Sequence, residues 1–174
     1  MEEKQYLNLI SNIIDNGNLE TGRNGDTIVL FGTNMRFSLT NSVVPFITTK
    51  KLAWKTCLKE LLWFISGKTD NKILKQQKVN IWNANGTREF LDSRNLDYPV
   101  DDLGPVYGHQ WRFFNAEYKG CHENYNNKGV DQLQNIINIL KNPKERSSRR
   151  IILSAWNPCQ LDEMALPPCH VLMQ

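Results

Sequence analysis

Residues 52–65, "LAWKTCLKELLWFI", decide the architecture. The segment is apolar on most sides, the pattern of a helix packed against other elements rather than one lying on a surface. Gly67 stands where such a helix stops. Glu60 is the exception inside it. Carboxylates are seldom buried unless paired or functional, so Glu60 is a candidate site residue. It could equally join Lys55 and Lys59 in a polar stripe, and the local sequence leaves both readings open.

Outward on the N-terminal side, Tyr6, Leu7, Ile10, Ile13 and Ile14 fall at helical spacing, and the pattern breaks at "DNGN" (15–18), where Gly17 can take the left-handed conformation that ends helices. "TIVLFGTNMRFSL" (27–39) is β-rich with a Gly-Thr-Asn turn in its middle, which reads as a hairpin or a bent strand pair. Between them "ETGRNGD" (20–26) reads as a polar loop carrying Arg23.

On the C-terminal side the chain is polar and turn-rich from Asn83 to Asp102, interrupted by a short helical "TREFLDS" (87–93), and leads into "LGPVYGHQWRFF" (103–114). Val130, Leu133, Ile136, Ile137 and Leu140 mark an amphipathic helix that Pro143 terminates. "RRIILSAWNP" (149–158) reads as a strand closed by Pro158. Helices and strands interleave without regular βαβ alternation, and no repeat or linker divides the chain. The expected fold is therefore α+β, a mixed β-sheet packed with helices in one domain.

The composition excludes several classes. With 40% hydrophobic and 22% charged residues in 174, the chain falls in the globular range. A net charge of +3 with dispersed basic residues gives no warrant for DNA as a partner. The start, "MEEKQYLNLI", has no secretory pattern, and no run approaches the ~18 apolar residues of a membrane span, so a cytoplasmic location is expected. Cys57, Cys121, Cys159 and Cys169 form no Cys-x-x-Cys pair and read as free thiols, and Asn85-Gly86-Thr87 reads as an idle glycosylation sequon.

Several groups could carry chemistry. Arg149 and Arg150 are guanidinium forks matched to a phosphate, or a solvated basic turn with Lys144 and Arg146. Arg23, in a Gly-flanked loop, could close over an anion. Gly104, Pro105 and Gly108 fix the backbone around Tyr107, a structural anchor or a proton relay. Cys169 follows Pro167-Pro168 and precedes His170; it is either a nucleophile that a positive field activates or a core cysteine. A zinc site built from Cys121-His122 and Cys169-His170 is disfavoured, because the ligand spacings match no common pattern.

Taken in order, "ELLWF" (60–64), "LGPVYGHQWR" (103–112), "SRRIILSAWNP" (148–158) and "MALPPCH" (164–170), with "TTKK" (48–51) upstream, strongly resemble thymidylate synthase. "IWNANGTREFLDS" (81–93) and "FFNAEY" (113–118) resemble its longer, eukaryote-type or viral versions. The resemblance covers nearly the whole chain. It implies methylation of dUMP to dTMP, with 5,10-methylenetetrahydrofolate as one-carbon and hydride donor and no metal. It places the nucleophile at Cys169 with His170 beside it, and the proton-managing acid and tyrosine at Glu60 and Tyr107. Phosphate contacts fall at Arg23, Arg149 and Arg150, and folate contacts at Lys51, Ile81, Trp82 and Asn85. Lys51 stands where many members have arginine. The family pairing of Arg149 and Arg150 across a dimer interface implies a homodimer.

The family pattern also continues past Gln174, through residues that read the pyrimidine, ribose and folate. The resemblance thus implies that residues 1–174 are the N-terminal part of a single thymidylate synthase domain, incomplete at the C-terminus and without turnover in isolation. The alternatives are half of a split enzyme, an inactive remnant kept as a binding protein, and a pyrimidine nucleotide hydroxymethylase.

Overall fold

The helical spacing of Tyr6, Leu7, Ile10, Ile13 and Ile14 becomes α1, Lys4–Asn16. The computed structural model describes residues 2–22 and 25–174, which fall into two compact units, Met1–Ala53 and Trp54–Gln174. In the first unit, side chains at the start of α1 hold an extended segment. Glu3 accepts hydrogen bonds from the Thr48 N–H (2.5 Å), the Thr48 hydroxyl (2.7 Å) and the Thr49 N–H (2.8 Å). Gln5 bonds both backbone groups of Arg36, at 2.6 and 3.0 Å.

Two local expectations fail in this unit. Gly17 is not left-handed; its φ of −76° and ψ of 158° are extended, and its N–H still bonds the Ile13 carbonyl as the chain enters a strand at once. The hairpin also forms earlier than the Gly-Thr-Asn turn suggested. Strand β1 (Asn18–Gly22) pairs antiparallel with β2 (Gly25–Val29), Asn18 opposite Val29 and Gly22 opposite Gly25. The expected polar loop thus supplies both strand ends, fastened by the Thr21 hydroxyl to Asp26 at 2.8 Å, while residues 33–39 carry no strand. No described residue of this unit is buried. Arg23 lies outside the described residues.

The second unit holds the core. α2 (Trp54–Ile65) ends where Gly67 takes a φ of +71°. α3 (Asn71–Gln76) is capped by the Asp70 carboxylate on the Lys72 N–H, and α4 (Arg88–Ser93) by the Thr87 hydroxyl on the Phe90 N–H. α5 (Tyr107–Phe113) follows, and then α6 (Gln132–Lys141), capped by Asp131. Strand β3 (Leu153–Ser154) pairs antiparallel with β4 (Leu172–Met173), and a 3₁₀ segment, Pro158–Glu163, lies between them. Helices and small sheets are mixed, as expected, but the described strands form two separate two-stranded antiparallel sheets rather than one mixed sheet. Most of "RRIILSAWNP" is not strand, because the Ile151 and Ile152 N–H groups turn back to the carbonyls of Ser148 and Arg150.

α2 is less enclosed than its composition suggests. Only Trp63 and Phe64 are buried, while Leu58, Leu61 and Leu62 remain exposed. Those two rings join Leu74, Val79, Trp82, Leu91, Leu103, Val106, Tyr107 and Met164 in one cluster. Polar groups pin the cluster's rim. The Asp102 carboxylate, buried, accepts from the Gly104 N–H (3.0 Å), the Tyr118 hydroxyl (2.6 Å) and the Cys121 N–H (2.9 Å). Gln110 joins α5 to the 3₁₀ segment through its amide to Gln160 at 3.0 Å, and Asn157 bonds both glutamines. α5 enters the core so closely that a β-carbon on Gly108 would stand 2.4 Å from the Lys68 carbonyl oxygen.

Two outcomes follow from this packing. Gly108→Ala forces backbone apart and lowers unfolding stability by about 1–3 kcal/mol, measured by urea denaturation. His109 is buried, with one ring nitrogen on the Ala116 carbonyl and Nδ1 without a partner. Burial lowers its pKa, against a smaller raising effect of that carbonyl. Its contribution to stability is therefore complete above the unfolded value of about 6.5 and falls as pH drops below it, since the unfolded chain binds the proton first. Denaturation midpoints taken between pH 7.5 and 5 fall more steeply for the native chain than for His109→Gln.

Candidate active site

Gly104 (φ +74°) turns the chain before α5, and Val106 enters the helix extended, so Tyr107 becomes its first residue. The sequence placed Tyr107 on a turn; it instead starts a helix, and its ring is 5% exposed. That ring lies 4.6 Å from Phe64 and 6.2 Å from Trp82, centroid to centroid. Packing on several sides leaves the phenol oxygen one direction to point. It accepts the Cys169 N–H at 2.7 Å and the His170 N–H at 3.2 Å.

One buried hydroxyl therefore fixes the backbone of the Cys-His pair. Cys169 is exposed, so it is not the core cysteine that was the alternative. His170 is exposed too, with its ring 5.5 Å from that of Tyr107. Pro168 is buried and anchors the approach to Cys169.

Glu60 joins the same cluster from α2. It is half-buried rather than fully buried, and accepts the Trp82 indole N–H at 2.7 Å. Lys59 does not pair with it, since its ammonium donates to the Gln77 carbonyl at 2.7 Å. A continuous path results: Glu60 carboxylate, Trp82 indole, Tyr107 ring and hydroxyl, then Cys169 and His170. Trp82 was expected as a folate contact only. Its link to Glu60 was missed, although an indole N–H needs an acceptor when buried.

Of the other expected site residues, Ile81 is exposed next to buried Trp82. Asn85 is half-buried in the same turn, and its amide makes no hydrogen bond among the described residues. Arg149 and Arg150 are exposed in a turn, and neither guanidinium has a hydrogen bond or ion pair among the described residues. The segment is held by backbone, through the Gln174 amide on the Arg149 carbonyl (3.0 Å) and Ser148 on the Arg150 N–H (3.2 Å). No described contact joins either arginine to Cys169, Glu60 or Tyr107. Lys51, in the first unit, is exposed. No helix among the described residues is long and apolar enough to cross a membrane.

An exposed thiol beside an imidazole, backed by a buried phenol and a carboxylate on an indole, can perform nucleophilic addition with proton transfer. The thymidylate synthase family model matches residues 4–174. The chain is 55% identical over 174 residues to a bifunctional dihydrofolate reductase-thymidylate synthase of Plasmodium berghei, covering 99% of this chain and 29% of that protein. It is 52% identical over 175 residues to the thymidylate synthase of Ascaris suum, covering 99% of this chain and 59% of that one. A probable thymidylate synthase of Schizosaccharomyces pombe is 52% identical over 177 residues, with 99% and 28% covered. The chain thus spans less than two thirds of the length of each of these relatives. With the family model matching residues 4–174 and relatives at about half identity along nearly the whole chain, the chain belongs to the thymidylate synthase family.

Proposed function

We propose that this chain contributes the nucleophile and the proton-handling groups of a dUMP methylation, forming dTMP with 5,10-methylenetetrahydrofolate as cosubstrate, as part of one thymidylate synthase domain. The observation that carries the reading is the Tyr107 hydroxyl, which holds both the Cys169 and His170 N–H groups from inside the core. Carbon 5 of a uracil ring is a poor nucleophile. Addition of the Cys169 thiolate at carbon 6 makes it an enolate carbon able to attack an electrophile.

The Glu60 carboxylate, held by the Trp82 indole N–H, is the base that receives the proton leaving carbon 5 after alkylation. The Trp82–Tyr107 contact is ring to ring and carries no proton, and Tyr107 orients the Cys-His backbone. The free guanidinium groups of Arg149 and Arg150 suit the nucleotide phosphate, and Arg23 is assigned to the same role from the family motif. We assign these two adjacent arginines to the partner's site in a homodimer. Their exposure, with no side-chain partner among the described residues, supports that use.

Ile81 and Asn85 fit the folate: an exposed apolar side chain and an unpaired amide sit beside the indole that binds Glu60. Lys51 is assigned to the same ligand as a cation for its acidic tail. When bound, the folate supplies the one-carbon unit and the hydride. This chain's residues hold it, exclude water through the Trp82 face and move the proton. A cytoplasmic location accords with a soluble nucleotide substrate.

Tritium release from 5-tritiated dUMP in the presence of methylenetetrahydrofolate tests the reading on the full-length protein. Cys169→Ser abolishes release; retention of activity sinks the nucleophile assignment. Tyr107→Phe strands two backbone N–H groups, so kcat falls by about 10²-fold or more while dUMP binding changes far less. An equal loss in Tyr107→Phe of kcat and of thermal stability alone would reduce Tyr107 to an anchor.

A further inference from the structure

Cys121 and His122 take no part in the site above, and pairing them with Cys169-His170 gave no metal pattern in the sequence. The fold supplies a different companion. Asp70 and Cys121 are 51 positions apart, yet the Asp70 carboxylate, the Cys121 sulfur and a His122 ring nitrogen lie within 4.8 Å of one another. We propose that Asp70, Cys121 and His122 form a binding site for a divalent cation of the zinc class, with water completing a tetrahedral shell.

Each donor is available. Asp70 spends one oxygen on the Lys72 N–H at 2.8 Å, and its other oxygen makes no hydrogen bond among the described residues. His122 is exposed, and neither ring nitrogen is engaged among the described residues. The Cys121 thiol is in no disulfide and lies against the Asp102 carboxylate. The frame is firm where a metal site needs it. Asp70 is buried and its backbone bridges that of Asp102, which in turn grips the Cys121 N–H at 2.9 Å. Asp102 lies outside that trio; it accepts from Gly104 and Tyr118 on Oδ1 and from the Cys121 N–H on Oδ2, so it orients the Cys121 loop.

The donor set selects the ion. One thiolate, one imidazole and one carboxylate suit zinc; calcium and magnesium need several oxygens that this cluster lacks. Tetrahedral donors on zinc stand about 3.5 Å apart, and the three donors already lie within 4.8 Å of one another, so side-chain rotation is enough to close them on an ion. Cys121 and His122 also line a cavity of about 350 Å³ that gives a cation and its water access. The flanking carboxylates of Asp70 and Asp102 make the place favourable for positive charge. On binding, the Cys121 thiol releases its proton to solvent and its sulfur forms the metal bond.

A reactive-thiol role is the rival. Burial first, then the charges of Asp102 and Asp70, push the Cys121 thiol up to about 12. Without a cation it stays protonated and is a poor nucleophile.

Cobalt(II) titration of the full chain under reducing conditions tests the site, with zinc as competitor. One equivalent produces the thiolate-to-cobalt charge-transfer band together with the visible bands of four-coordinate cobalt, and zinc abolishes both. His122→Ala removes an exposed ring without hydrogen bonds, so folding is untouched, and it weakens cobalt binding about tenfold or more. Cys121→Ser eliminates the charge-transfer band, whereas Cys169→Ser keeps it. Absence of the band at one equivalent, its survival in Cys121→Ser, or unchanged affinity in His122→Ala overturns the proposal. The readout is a metal spectrum, so its failure is distinct from any failure of the methylation reading.

Discussion

The buried carboxylate of Asp102 is the constraint on which the second unit rests. A charge 2% exposed is costly to bury, and it is stable only because three donors converge on it: a backbone N–H from Gly104, a phenol from Tyr118 and a backbone N–H from Cys121. Those three donors come from two loops far apart in sequence. Satisfying one acid therefore fixes the turn that starts α5 on one side and the Cys121-His122 loop on the other. Burial and the nearby negative charge also raise the Tyr118 pKa, so that phenol stays a donor across the physiological range.

From that turn the geometry of the Cys-His pair follows. Gly104 is confined by a carbonyl of Glu163, which a β-carbon would meet at 2.1 Å, and Gly108 by the carbonyl of Lys68 at 2.4 Å. α5 cannot slide in either direction, so Tyr107 enters the Phe64–Trp82–Trp111 ring cluster in one pose. Rigid aromatic packing turns a loop constraint at Asp102 into the position of a hydroxyl. That hydroxyl in turn sets the Cys169 backbone while leaving its side chain in the open. Positioning of this kind lowers the cost of reaching a reactive geometry, because the orientation is fixed during folding rather than during each turnover.

How much of this was legible depended on whether the signal was local. Helix α6 could be read from the spacing of Leu133, Ile136, Ile137 and Leu140 and from Pro143, and the end of α2 from Gly67. The ordered motifs singled out Cys169, Tyr107 and Glu60 as candidates, and the structure links the three through hydrogen bonds and the Trp82–Tyr107 ring contact. What failed was long-range or competitive. The β-rich run 27–39 kept strand only over Thr27, Ile28 and Val29, which pair with Glu20, Leu19 and Asn18 rather than with the run's own second half, and "RRIILSAWNP" kept two strand residues because its N–H groups found nearer acceptors. The exposure of Leu58, Leu61 and Leu62 could not be seen either, since composition says how apolar a helix is and not which neighbours cover it. Asp70 and Cys121 share no local pattern; the bridge between Asp70 and Asp102, the Asp102 bond to the Cys121 N–H and the Thr69–Tyr118 hydroxyl pair bring them together.

The two histidine-paired cysteines show how far surroundings outweigh sequence. Both are Cys-His dipeptides, and adjacent residues alone would assign them the same chemistry. Cys169 has its backbone held by the Tyr107 hydroxyl and its side chain exposed, while two guanidinium groups without a partner among the described residues lie in the segment that β3 and β4 join to it. Cys121 has its backbone held by an anion, with a second carboxylate within 4.8 Å of its sulfur. A thiolate added to the second setting would be a third negative charge in one small volume, which only a cation can relieve. The same thiol-imidazole unit is thus suited to attack a polarised carbon at one place and to hold a metal at the other. The difference is set by a hydroxyl in one case and a carboxylate in the other.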